Sequence, residues 1–185
     1  MKKISCFVPY AGKEQVEKTI QGLQATGLVN NIYLLTTDAE LEALEGCQCI
    51  LVDNPFSSKA IKAVAEAACG DYTLLYTKET TLELGMFALE RMIHLADDSA
   101  AGMVYADHYQ ISEGKQSNAP VIDYQFGSLR DDFNFGSVLL FNTEMLKEAA
   151  GRMKAEYTFA GLYDLRLKLS QKADLMHINE YLYSE

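Results

Sequence analysis

Three short groupings in the 185-residue chain bring charged and hydroxyl side chains close enough to do chemistry. Thr77-Lys78-Glu79 follows an apolar run and puts a cation beside a carboxylate. Arg130-Asp131-Asp132 lies inside Gly127–Gly136, a glycine-flanked stretch without helical or strand periodicity. A guanidinium beside two carboxylates there has the groups to bind sugar hydroxyls or phosphate; the plainer alternative is an Arg–carboxylate pair that holds a loop. Asp107 sits between Tyr105 and Tyr109 at strand spacing, which puts all three on one face. That face is either an acceptor-side carboxylate with aromatic stacking partners for a sugar or a half-exposed aromatic strand. Asp164 stands alone near the start of a late helix, where a carboxylate also gains from the helix dipole.

These groups must be positioned by a fold, and the apolar periodicity supplies one. Ile4–Val8 reads as a buried strand and Glu14–Thr26 as a helix with Val16, Ile20 and Leu23 inward. Asn31–Thr37, Cys47–Val52 and Tyr72–Tyr76 read as strands. A short helix is expected over Ala39–Leu44, and a second, capped by Ser57 or Ser58, ends before Gly70. This β-α-β-α-β-α-β alternation predicts a parallel sheet covered on both faces, with ligands beyond the carboxyl ends of the strands. Those ends are Pro9-Tyr10, Thr36-Thr37-Asp38, Asp53-Asn54 and Thr77-Lys78-Glu79.

The second half is less regular. A helix is expected over Leu82–Leu95, a strand over Ala101–Gln110, a turn at Glu113-Gly114-Lys115 and an extended stretch over Val121–Phe126. Gly136–Asn142 follows as a strand, with a helix capped by Thr143, a helix over Leu162–Ser170 and a closing strand over Leu175–Tyr183. No repeat or linker divides the chain, so one domain is expected over 1–185. It ends directly after its last strand, which reads as the N-terminal part of a longer protein.

Composition narrows the partners. The net charge of −10 repels nucleic acid and anionic membrane, so neither is expected as a partner. It also repels phosphorylated molecules at long range, so a site for one must carry local positive charge. No apolar run spans a bilayer and no secretory leader is evident, which reads as a cytoplasmic protein. The four cysteines lie on core-forming segments without metal spacing and are expected as buried free thiols. Phosphate-loop, dinucleotide-binding and nucleophile-elbow glycine motifs are absent.

The stretch from Ala63 to Leu82 runs from an alanine-rich helix through Gly70-Asp71-Tyr72 and an apolar strand to the loop Thr77-Lys78-Glu79 and Leu82. With Ile4–Tyr10, Val104–Tyr109, Gly161–Leu169 and His177–Tyr183, it resembles the GT-A glycosyltransferases of family 2, the inverting transferases that use nucleotide-diphosphate sugars. The resemblance implies an α/β fold: a three-layer α/β/α domain with a mostly parallel central sheet. It further implies a nucleotide-diphosphate sugar and an acceptor sugar, lipid or protein hydroxyl as partners. Pro9, Tyr10 and Asp38 would contact the nucleotide. Lys78, Glu79, Arg130, Asp131 and Asp132 would contact the diphosphate and sugar, with Asp107 on the acceptor side.

Two departures matter. The family loop holds Mg²⁺ or Mn²⁺ between two acids, and here these fall on Thr77 and Glu79, leaving a single metal-binding carboxylate. Lys78, with Arg130, is then the expected source of positive charge, unless it is a solvated loop lysine. The family's general base lies in a Glu-Asp pair that reads Gly161-Leu162 here, leaving Asp164 as the candidate catalytic base. The competing reading is a GT-A-shaped module that binds or scaffolds without turnover.

Overall fold

The computed structural model describes residues 2–130 and 132–185; Asp131 lies outside the described residues. The first half builds the parallel part of the sheet from β1 (Ile4–Pro9), β2 (Val29–Thr36), β3 (Cys47–Leu51) and β4 (Tyr72–Tyr76), with α1 (Lys13–Ala25) and α2 (Ser58–Ala67) as crossovers. β1 is buried at every position because it has a parallel neighbour on each side and helices on both faces. Ser57 caps α2 by accepting the Ala60 N–H at 3.1 Å, and its own hydroxyl donates to Asp53 Oδ1 at 2.6 Å.

The second half comprises β5 (Glu83–Leu84), α3 (Ala88–Ser99), β6 (Met103–Ser112), β7 (Lys115–Ala119), β8 (Val138–Asn142), α4 (Thr143–Gly151), α5 (Gly161–Ser170) and β9 (Leu175–Ser184). The strands form one sheet in the order β3-β2-β1-β4-β8-β6-β9-β5, and β7 pairs with β6. β8 enters antiparallel between β4 and β6, so its first residues stand at the same rim as the carboxyl ends of β1, β2 and β4. That reversal brings residues from both halves to one edge. The β6–β7 hairpin turns on Glu113 and Gly114 with φ of 51° and 74°, the left-handed pair that matches strand twist.

Two apolar layers hold the sheet. Val16, Ile20, Leu23, Leu89, Met92 and Ile93 pack from α1 and α3 onto one face. Ile61, Val64, Leu146, Leu162, Leu165 and Leu169 pack from α2, α4 and α5 onto the other. Each such side chain removed from water contributes about 1.5–3 kcal/mol before chain entropy is charged against it.

Four expectations need correction. Residues 39–44 form no helix: Asp38 Oδ1 accepts the Glu40 N–H at 2.9 Å, a local turn that competes with helical bonding. The helix expected from Leu82 starts only at Ala88, because Glu83–Leu84 pairs with β9 and the Gly85 N–H donates to Leu182 O at 2.8 Å. A Cβ at Gly85 would lie 2.8 Å from that same oxygen, so the close approach needs glycine. Asn142, not Thr143, caps α4, accepting the Met145 N–H at 3.1 Å, while Thr143 pairs its hydroxyl with Thr73 at 2.9 Å. The cysteines are all free, but only Cys6 is buried, where loss of water raises its thiol pKa, and Cys69 is exposed. No helix among the described residues is long and apolar enough to cross a membrane.

Candidate functional site

The loop after β4 is fixed to the start of β8. Thr77 donates its N–H to Ser137 O at 2.9 Å, and its hydroxyl reaches the same oxygen at 3.3 Å. This leaves Lys78 at the rim with its side chain half exposed and Nζ 3.9 Å from Glu185 Oε1. Glu185 is an unusually enclosed acid, with a side chain 6% exposed. His108 Nε2 lies 3.3 Å from Oε1, and the Ser137 hydroxyl donates to Oε2. Burial pushes the Glu185 carboxyl pKa up, but the hydrogen bonds from His108 and Ser137 and the charges of His108 and Lys78 outweigh it. The net result is a carboxyl held below its ordinary range.

Beneath this cluster, Tyr183 Oη accepts the Ser137 N–H at 2.8 Å, and its ring stacks on His108 with centroids 5.1 Å apart. Gly136 makes the approach possible. Its φ is 71°, and a Cβ there would stand 2.5 Å from Tyr183 Oη.

Adjacent residues on a strand point to opposite faces, so Asp107 turns away from this cluster. Its Oδ1 accepts the Val121 N–H at 2.8 Å and lies 2.9 Å from His177 Nε2. The other ring nitrogen, Nδ1, lies 2.7 Å from Asp123 Oδ1. The His177 ring stacks on Tyr105 at 5.1 Å. The Tyr105 hydroxyl donates to Ile122 O at 2.9 Å and accepts the Tyr124 N–H at 2.8 Å. Burial raises its pKa to about 12 despite that accepted bond, so it stays a neutral donor. Residues 120–126 therefore run off the sheet as an irregular segment, tied to β6 by side chains in place of a ladder.

That segment walls a hollow of about 980 Å³ into which His177, Asp123, Arg130, Asp132, Asn134 and Phe133 face. Arg130 and Asp132 pair at 2.8 Å on its exposed side. Asp164 lies elsewhere. It pairs with Lys168 at 3.1 Å and lines a different hollow, with Arg152, Lys154 and Tyr157. The start of α5 is stitched to that of α2: the Gly161 N–H donates to Phe56 O at 2.8 Å, and Tyr157 and Ser58 exchange two bonds. A Cβ at Gly161 would meet Ser57 C and Ser58 N at 2.4 Å, and Leu162 is buried in the core.

Among the described residues, the sequence-derived candidates therefore do not meet in one hollow. Pro9 is buried at the end of β1; Tyr10 is half-buried and donates its N–H to Leu35 O at 2.9 Å. Asp38 is exposed just past β2. Lys78 stands with Glu185, Arg130 with Asp132, and Asp107 with His177. Glu79 is exposed, and among the described residues no three His, Cys, Asp or Glu side chains group to hold a metal ion. Glu79, the one carboxylate of the loop after β4, is by itself too few for a divalent cation, which needs several oxygen ligands.

Sequence reading missed Glu185, His108, Ser137, His177 and Asp123. The dipeptide Asp107-His108 at a strand end was the available signal, since alternation sends its two side chains to two different sites.

No protein-family model matches the chain, and no curated protein matches it. Solved structures do. TarS 1-349 from S. aureus superposes with a TM-score of 0.68 over 98% of this chain at 11% identity. Its complex with UDP-GlcNAc gives 0.68 over 99% at 13% identity. The chain shares their GT-A-like α/β fold. The chain spans 60% and 58% of those two TarS structures. A 4-diphosphocytidyl-2C-methyl-D-erythritol synthase from Anaerococcus prevotii superposes at 0.63 and 12% identity, covering 97% of this chain and 90% of its own.

Proposed function

We propose that this GT-A-like chain is a family 2-like glycosyltransferase, binding a nucleotide-diphosphate sugar at the carboxyl rim and passing the sugar to an acceptor hydroxyl with inversion. The observation that carries the reading is Lys78 at the rim beyond β4, backed by the fold shared with a protein solved with UDP-GlcNAc and with UDP. In a chain of net charge −10, a cation at that rim is what a diphosphate requires. Tyr10 and Asp38, at the ends of adjacent parallel strands, offer a ring face and a carboxylate to a nucleoside. Lys78 exchanges its long contact with Glu185 for phosphate oxygens and stabilises the leaving diphosphate as a point charge.

A nucleotidyltransferase is less well supported despite the matching chain length. Only Tyr10–Gly12 separates β1 from α1, too short for a glycine-rich phosphate loop. One observation favours a binding module without turnover. The position that the resemblance gives to the base is closed, because Gly161 abuts Ser57 and Leu162 is core.

Calorimetry with UDP-GlcNAc, UDP and a panel of other nucleotide sugars, with and without Mn²⁺, tests the proposal. The expected result is binding of one donor without added metal, a tenfold or greater loss of affinity in Lys78→Ala, and slow release of the nucleoside diphosphate. Donor binding without any release leaves the module reading; no nucleotide binding at all overturns the proposal.

A further inference from the structure

We infer that the hollow between the end of α4 and the face of α5 is a binding site for a phosphoryl dianion, carried by a small phosphate ester or free in solution, with Arg152 as its anchor. The site is separate from the carboxyl rim and does not depend on the transferase reading.

The charge in this hollow runs against that of the chain. Acidic residues outnumber lysines and arginines by 26 to 16 overall. In the hollow, of about 570 Å³, Arg152, Lys154 and Lys168 face inward, and among the described residues Asp164 is the one carboxylate that lines it. Asp164 is buried and pairs with Lys168 at 3.1 Å, so its charge is already answered. Arg152 and Lys168 also line a second hollow, of about 140 Å³, where Lys172 joins them against Glu148. A positive potential concentrated in a concave wall draws anions from solution.

Helix dipoles account for part of this placement. The Arg152 N–H caps α4, donating to Ala149 O and Ala150 O, and Lys168 lies in the last turn of α5; cations are favoured at both places. The dipoles do not account for the guanidinium itself. Its Nη2 donates to Gln171 Oε1 at 3.3 Å, a neutral acceptor, and its Nη1 is enclosed without a hydrogen-bond partner among the described residues. An enclosed, unsatisfied donor on a charged group is costly, and an anion in the hollow removes that cost. The guanidinium is a planar donor that matches phosphoryl oxygens, while Lys154 and Lys168 act as point charges.

The wall is held from outside. Glu156 pairs with Lys62, and Tyr157 exchanges two bonds with Ser58, so an anion meets a loop that is already ordered. The half-exposed Tyr157 adds a hydroxyl donor to the lining. The volume exceeds what one phosphoryl group fills, which leaves room for the organic part of an ester.

Titration of the full chain with inorganic phosphate, and separately with glycerol phosphate, at constant ionic strength and followed by ¹H–¹⁵N spectra, tests the site. The expected result is saturable shifts over residues 151–157 and 164–172 and in the Arg152 side-chain resonance. Arg152→Gln should weaken binding about tenfold, and Lys154→Gln about threefold. Lys154 is exposed, so its variant keeps the test decisive if Arg152→Gln fails to fold. Tighter binding of glycerol phosphate than of inorganic phosphate assigns the site to an ester; equal affinity assigns it to the free anion. Shifts that rise without saturating, saturable shifts confined to residues 77–79, or variants that bind like the wild type would each overturn the inference. Donor binding at Lys78 is read separately, by calorimetry with UDP, and stands or falls on its own.

Discussion

Glu185 reaches back along the rim to Lys78, its Oε1 3.9 Å from Nζ, so the cation placed to meet a phosphate already faces a carboxylate. At that distance the attraction is modest, and the half-exposed lysine is well screened. A diphosphate with several oxygens competes for it easily. Glu185→Gln is expected to raise UDP affinity severalfold, with a steeper salt dependence, both read by calorimetry. Unchanged affinity would sink the view that Glu185 and phosphate share the lysine.

The same carboxyl makes a pH prediction. Its folded pKa lies below the ordinary 4.5, so the stability it contributes is fully present above that value. It is lost as pH falls through the lower folded value, when the folded state must take up the proton. Between about pH 5 and pH 3 the wild type should therefore lose more melting temperature than Glu185→Gln, whose amide does not titrate. Scanning calorimetry across that window checks it; parallel curves for the two proteins would contradict it.

Gly161 tests whether the vacant base position is closed by packing. Gly161→Ala places a methyl 2.4 Å from the backbone of Ser57 and Ser58, neither of which is a flexible side-chain tip. Separating α5 from α2 should cost about 1–3 kcal/mol. In a chain of this size each kcal/mol moves the melting temperature by about 2–4 °C. A variant as stable as wild type would mean that the two helix starts separate freely. The position would then be open to an acidic side chain after all.

The first four strands and their carboxyl ends are legible in the sequence because apolar runs mark them, with the Gly70-Asp71 turn before the fourth. Tyr72–Tyr76 was read to the residue, being a fully buried five-residue run bounded by turn signals. What escaped depends on pairings distant in sequence. Leu82, Met86, Leu89 and Ile93 have helical spacing, yet β9, some hundred residues on, claims Glu83–Leu84 as an edge. His177 looked like one residue of a closing strand. Its meaning comes from Asp107, 70 residues earlier, and from Asp123 in a segment without periodicity. Lys78 was read as a rim cation, but its Glu185 partner lies at the far end of the chain, brought near by the antiparallel entry of β8 and a bulged β9.

Ser57 lets a cap be separated from a carboxylate. Ser57→Ala removes the acceptor for the Ala60 N–H and the hydroxyl donated to Asp53. A lost N-cap costs about 0.5–2 kcal/mol. Asp53→Asn keeps the cap and should cost less, because Asp53 is exposed. Urea denaturation of both variants decides it; a larger loss in Asp53→Asn would reverse the assignment.

Arg166 gives the most discriminating test of the packing around the hollow. Its guanidinium lies 5.0 Å over the Phe135 ring, and among the described residues its Nε has no hydrogen-bond partner. Burial lowers its pKa to about 10, still far enough above neutrality to keep the charge. The cation–π attraction contributes on the order of 1–2 kcal/mol, and the half-buried guanidinium pays a desolvation cost of similar size, so Arg166→Met, which keeps most of the volume, should change stability by less than about 1 kcal/mol. Phe135→Ala removes the ring that Tyr105 and Phe133 also pack against, at 4.8 and 4.5 Å, and should cost about 3–5 kcal/mol. Equilibrium unfolding of the two variants checks the contrast. A loss above 2 kcal/mol in Arg166→Met would mean that the guanidinium is held by more than the ring.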